Sequence, residues 1–141
     1  MSALRFVDTN IFLYAHDSEA GIRHEQARKI LRELWDEGNG CLSPQVLQEF
    51  FVNATRKIPL PLSSPVAREI MRCYLPWVRA SVDGEMTLRA VEISETWQIS
   101  FWDGMIVAAA ERSGASELLT EDLQNGQHIA GILIVNPLLD Y

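Results

Sequence analysis

The sequence predicts an α/β domain in which helices flank a central, mostly parallel β-sheet. Short apolar runs of strand length recur along the chain, amphipathic helical patterns separate them, and Pro, Gly or Ser-Pro pairs mark the joints. The strand-length runs are apolar throughout rather than alternating, as expected of strands covered on both faces.

Leu4 to Val7 ends in Asp8-Thr9-Asn10 and reads as a buried strand followed by a helix cap. Ile22 to Glu37 places Ala27, Ile30, Leu31, Leu34 and Trp35 at helical spacing, with Gly38 or Gly40 as its end. Trp35 is accordingly expected in the core. Cys41-Leu42 is a short strand candidate. Ser43-Pro44 opens a helix by two rules, a hydroxyl cap and Pro at the first helical position. Leu47, Phe50, Phe51 and Ala54 form its apolar face, and the Pro59 and Pro61 segment breaks it. Ser64-Pro65 opens another helix with Val66, Ile70 and Met71 inside, closed by Pro76. Trp77 to Val82 alternates weakly and predicts a strand. Met86 to Trp97 reads as a helix whose apolar positions are Leu88, Val91, Ile93 and Trp97. Ser100 to Arg112 is apolar nearly all round, which predicts a buried helix. Glu117 to Thr120 and Ile132 to Val135 are the last strands.

A chain of 141 residues fits one domain and can bury a substantial core. Two cysteines, Cys41 and Cys73, make neither a disulfide framework nor a cysteine zinc site, and free thiols suit a reducing compartment. The longest apolar run, Met105 to Ala110, is far below the ~20 residues that span a bilayer. Asp8 and Asn10 interrupt the N-terminal apolar stretch and spoil it as a signal peptide. A cytoplasmic single domain, residues 1–141, without a membrane segment is expected. The net charge of −7 argues at first sight against nucleic acid, because phosphate is neutralised by Lys and Arg.

Four carboxylates qualify that argument. In open parallel sheets, ligands sit outside the carboxyl ends of the strands. Asp8 ends the first strand, and Asp122 follows the strand Leu118-Leu119-Thr120. Asp103 lies in the first turn of the buried helix, and Glu49 about a turn and a half into the helix begun at Ser43-Pro44. Each acid has an ordinary role open to it. Asp8 can cap the next helix, Ser100-x-x-Asp103 matches a capping box, Asp122 can complement a helix dipole, and Glu49 can be solvated. Together, four unpaired carboxylates in one patch would repel, and a hard divalent cation such as Mg²⁺ or Mn²⁺ would relieve the repulsion.

Phe6-Val7-Asp8-Thr9-Asn10, Gln45-Val46-Leu47-Gln48-Glu49-Phe50, Ser100-Phe101-Trp102-Asp103 and Leu118-Leu119-Thr120-Glu121-Asp122 resemble, in order and spacing, the four signature segments of the PIN-domain family. The resemblance runs from Phe6 to Pro137 and is greatest to small prokaryotic VapC-type toxins of type II toxin–antitoxin pairs. It implies a PIN-like, 5′-nuclease-like three-layer α/β/α fold and a metal-dependent endoribonuclease. By that resemblance Asp8, Glu49, Asp103 and Asp122 bind one or two Mg²⁺ or Mn²⁺ ions. Thr9, Asn10 and Thr120 match the polar neighbours that position those acids or the attacking water. It implies products with 5′-phosphate and 3′-hydroxyl ends, a cognate antitoxin and a homodimer. Two ions would bring the net charge from −7 to −3 and concentrate positive charge where phosphate must sit, so the acidic composition does not exclude RNA.

Two local features stand out. Gly104 follows Asp103 where the family usually has Ala, and Gly in a helix costs ~1 kcal/mol relative to Ala, so a looser turn around Asp103 is expected. Glu121 adjoins Asp122, and neighbours point apart, which leaves Glu121 as an outer acid. His16 and His24 are expected at the surface; Trp97 in the core; Trp102, beside Asp103, at the site wall or an interface. Arg79 and Arg89 are weak RNA-contact candidates. A non-catalytic PIN fold that binds RNA or a partner is the alternative function. A receiver or dehalogenase-type phosphatase fits poorly, since the only lysines are Lys29 and Lys57 and Asn10 stands where the phosphatase needs Asp.

Overall fold

The computed structural model describes residues 3–138. Strand β1 (Arg5–Val7) pairs in parallel with β2 (Gly40–Cys41) on one side and β3 (Glu117–Leu119) on the other, with Phe6 opposite both Cys41 and Leu118. β3 pairs in parallel with β5 (Ile132–Val135), and β4 (His128–Ile129) adds an antiparallel edge, giving the order β2-β1-β3-β5-β4. Phe6, Val7, Leu118, Leu119 and Ile134 are fully buried, as strands covered on both faces require.

Helices flank this sheet, and their starts are written locally. Asp8 precedes α1 (Thr9–Tyr14), and its Oδ1 accepts from the Thr9 N–H at 2.7 Å. Helix α2 (Ile22–Glu37) ends at Gly38, whose φ of 69° is open to glycine at little cost. Ser43 caps α3 (Pro44–Arg56), Ser63 caps α4 (Ser64–Tyr74), and Ser100 caps α6 (Phe101–Arg112), each through a hydroxyl that accepts an N–H three residues on. Asp83 does the same for α5 (Gly84–Trp97), so this helix starts two residues before Met86.

Several expectations need correction. Trp77 to Val82 is not a strand. Leu75–Trp77 makes one tight 3₁₀ turn, and Val78 then joins Leu42 in a single parallel bridge. Trp77 is buried over Gly40, and a Cβ at Gly40 would sit 2.6 Å from its ring, so burial of the indole, not ladder pairing, organises this segment. Leu88 is 67% exposed and Val66 is 49% exposed; the buried residues of α5 are Met86, Ala90 and Ile93, and that of α4 is Ala67. Trp35 is half exposed and leans on Tyr74 and Trp77 at 5.4 and 5.8 Å between rings, whereas Trp97 does pack against the core. The short β4 was not anticipated. Arg89 is not free for RNA: its guanidinium pairs with Glu111 at 2.9 Å and Glu92 at 3.1 Å.

The expected buried helix is α6, in which Gly104 to Ala110 are all buried. Gly104 does not loosen it. A Cβ there would stand 2.6 Å from the Ala90 carbonyl oxygen and 3.3 Å from the Ser94 Cβ, so the glycine lets α5 press its backbone onto α6 directly beside Asp103. Gly104→Ala should therefore destabilise the protein by ~1–3 kcal/mol, the overpacking cost exceeding the ~1 kcal/mol gain in helix propensity. Urea unfolding midpoints check this, and a midpoint that rises would refute the close-approach role.

Candidate active site

Parallel pairing of β1 and β3 brings Asp8 and Thr120 side by side at the carboxyl ends of both strands. The buried Thr120 hydroxyl donates to Asp8 Oδ2 at 2.7 Å and accepts the Asp122 N–H at 3.1 Å, so one hydroxyl ties both segments together. The Thr9 hydroxyl donates to Glu49 Oε1 at 2.6 Å, reaching from α1 to α3. Ser100 caps α6 through the Asp103 N–H at 3.0 Å, which leaves the Asp103 carboxylate out of the cap.

Asp8, Glu49, Asp103 and Asp122 line one cavity of about 250 Å³, together with Thr9 and Asn10. Thr120 lies behind Asp8. Glu121 is turned elsewhere: its carboxylate accepts the Tyr14 hydroxyl and faces Arg23 Nε at 3.6 Å. Leu13, Gln45, Asn53, Trp102 and Ile106 complete the wall. Gln45, Glu49 and Asn53 follow at helical spacing on α3, the signal that could have added Gln45 to the expected site; Asn53 donates to the Glu49 carbonyl at 2.7 Å. Trp102, expected at the site wall or an interface, is on the wall and 64% exposed.

The electrostatics are those of crowded acids. Burial pushes Asp8 up to about 6; the hydrogen bonds from Thr120 and the Thr9 N–H oppose this, and the charges of Asp122 and Asp103 add to it. Asp122 is also raised, by partial burial and then by Asp103. The Asn10 amide is near enough to oppose that rise, yet its nitrogen and oxygen are buried without a full hydrogen bond among the described residues. Burial and the Glu121 bond push the Tyr14 hydroxyl up to about 12, which keeps it a donor. Among the described residues no three carboxylate, imidazole or thiol groups are gathered closely enough to enclose an ion.

The PIN-domain family model matches residues 5–127. The chain belongs to the PIN-domain family. No curated protein matches it significantly. Solved structures share the PIN fold: a toxin–antitoxin complex from Klebsiella pneumoniae is 20% identical with a TM-score of 0.65, covering 96% of this chain and 98% of that one. VapBC2 from Rickettsia felis, bound to a DNA fragment from their promoter, is 16% identical with a TM-score of 0.61 over 93% and 96%. VapC20 of Mycobacterium tuberculosis, described as a sarcin–ricin loop cleaving toxin, is 21% identical with a TM-score of 0.59 over 84% and 89%.

A second and larger cavity, about 450 Å³, lies apart from the acids of this PIN domain, between α2, α4 and the end of α1. His16, expected at the surface, is largely buried there. Its ring stands edge-on to Phe12 and Phe50 at 5.2 and 5.5 Å, and its Nε2 is buried without a partner among the described residues. Burial, then the charges of His24 and Arg28, push His16 down to about 4; Arg32, Asp36 and Tyr74 also face it. The unfolded chain therefore binds the extra proton between about 6.5 and about 4, and the stability contributed by neutral His16 is lost as pH falls through that window. Acidification from pH 7 to 5 should cost on the order of 1–2 kcal/mol more in the wild type than in His16→Phe. Asp8, whose raised pKa has the opposite sign, is present in both proteins and cancels in the difference. Urea unfolding at the two pH values checks this, and parallel losses in both proteins would contradict it.

Proposed function

We propose that this PIN domain is a metal-dependent endoribonuclease that hydrolyses RNA phosphodiester bonds and acts as the toxin of a toxin–antitoxin pair. The observation that supports this most is the meeting of Asp8, Glu49, Asp103 and Asp122 around one cavity at the carboxyl edge of the sheet. The donor set fits a hard divalent cation. All four acids are carboxylates, burial and neighbouring acids raise the pKa of Asp8 and Asp122, and Asn10 offers an unpartnered amide beside them.

Mg²⁺ or Mn²⁺, as one or two ions, would supply an activated water and positive charge against the phosphodiester when bound. The chain's own residues do the positioning. Thr120 and the Thr9 N–H fix both oxygens of Asp8. The Thr9 hydroxyl fixes Glu49 toward the cavity, and Ser100 anchors the turn that carries Asp103. Trp102 presents an exposed ring beside Asp103 against which an unpaired base can stack.

The family resemblance supports an antitoxin that inserts a basic side chain among the acids, and a second copy of this chain, as partners. The Klebsiella structure is a toxin–antitoxin complex, which favours the first. Among the described residues no helix is long and apolar enough to cross a membrane, which suits a cytoplasmic site of action.

Purified protein should cut RNA with Mg²⁺ or Mn²⁺ and stop with EDTA, and Asp8→Asn or Asp103→Asn should each lower cleavage at least ~100-fold. Undiminished cleavage by both variants would overturn the reading. Metal-free protein should bind RNA poorly and divalent ions should restore binding, with filter retention at fixed ionic strength as the measurement.

A non-catalytic PIN module is the second reading. It is favoured by the spacing of the acids, no three of which enclose an ion among the described residues. Calorimetry separates the two: a module without catalysis takes up no Mn²⁺.

A further inference from the structure

We propose that Tyr14, Arg23 and Glu121 form a positioning clamp that holds Asp122 toward the acidic cavity, without any of the three touching the ion. This rests on the nuclease reading and extends it to residues outside the four acids. Asp122 needs such support. It lies between the end of β3 at Leu119 and the start of β4 at His128, where the backbone is neither helix nor strand. It is also exposed, and Asp103 repels it.

Two restraints act on this segment, and both lead back to α1. The Thr120 hydroxyl, bonded to Asp8 at the start of α1, accepts the Asp122 N–H. One residue on, the Glu121 carboxylate accepts the hydroxyl of Tyr14, the last residue of α1. Six residues of helix are about 9 Å long, so α1 grips the segment at two points well apart and fixes its direction as well as its place. The two side chains diverge here, Glu121 onto Tyr14 and Asp122 into the wall of the cavity, so a tether on Glu121 holds the backbone in the one orientation that presents Asp122 to the acids. Arg23, in the first turn of α2, lies over the Tyr14 ring with Cζ 5.9 Å from its centre and faces Glu121 Oε2 at 3.6 Å. The Arg23 side chain is half exposed, and exposed ion pairs contribute little. A hydrogen bond from a hydroxyl to a carboxylate is charge-assisted and stronger, so Tyr14 is the principal restraint and Arg23 an auxiliary one.

Tyr14→Phe removes the hydroxyl and keeps the ring, and Glu121→Gln is the second variant in case the first folds poorly. In metal-free protein, amides 120–123 should exchange with solvent at least tenfold faster in either variant, with the core strands unchanged. Mn²⁺ affinity by calorimetry should fall about 5–20-fold, within the range seen for groups that orient metal ligands, with KM for RNA unchanged. In an Asp122→Asn background, Tyr14→Phe should cause no further loss of Mn²⁺ affinity, because the residue it positions is gone. Unchanged exchange, unchanged affinity, or an equal further loss in the Asp122→Asn background each overturns the clamp. Wild-type protein that takes up no Mn²⁺ overturns the nuclease reading, and the clamp's role with it. Wild-type uptake matched by Tyr14→Phe overturns the clamp alone.

Discussion

Parallel pairing of β1 with two partners at once is the constraint on which the rest of the molecule depends. Only Arg5–Val7 make the strand, yet they sit between β2 and β3, with Phe6 and Val7 fully buried. Chain direction then places the residue after β1 beside the residues after β3. Asp8 and Thr120 meet across 112 positions of sequence because their strands run the same way in register. With either strand reversed, the two would lie at opposite edges of the sheet.

The acids show how a structural role and a functional one are kept apart on the same few residues. Asp8 does both, since one oxygen meets the first N–H of α1 and the other takes the Thr120 hydroxyl. For Asp103 the duties are divided: Ser100 supplies the cap, and the aspartate contributes its backbone N–H while its carboxylate faces the cavity. For Glu49 the Thr9 hydroxyl replaces solvent. These arrangements hold acids in a partly buried space, and the pKa of Asp8 is raised chiefly by its burial, with the charges of Asp122 and Asp103 adding to it.

Legibility from sequence follows the range of the interaction. Features decided within four residues could be read directly: the hydroxyl caps of α3 and α6, the glycine that ends α2, the apolar run of α6. The four acids were also readable, because each lies at the end of a strand or near the start of a helix, and parallel order brings such positions together. Features decided by distant partners were hidden. The alternation of Trp77 to Val82 carries no information on whether a strand is there to receive it. The burial of His16 depends on Phe50 and Tyr74, which come from other helices. The bond between Tyr14 and Glu121 spans 107 positions, so Glu121 could be read as an outer acid while its partner Tyr14 could not be read at all. Leu88 and Trp35 follow helical spacing well enough, but apolar periodicity does not say which side of a stripe its neighbours will cover.

Gly104 carries a consequence for descent. The space its missing side chain leaves is filled by the carbonyl of Ala90, so positions 90 and 104 share one volume between two helices. A lineage cannot acquire a methyl group at 104 by a single step without α5 giving way, and a chain whose α5 has moved outward no longer gains from glycine. Substitution at 104 is therefore coupled to the placement of α5, and a chain with alanine there would have to hold the turn bearing Asp103 against a differently placed support. Grafting α6 from such a chain onto α5 of this one would join surfaces that were never fitted to each other.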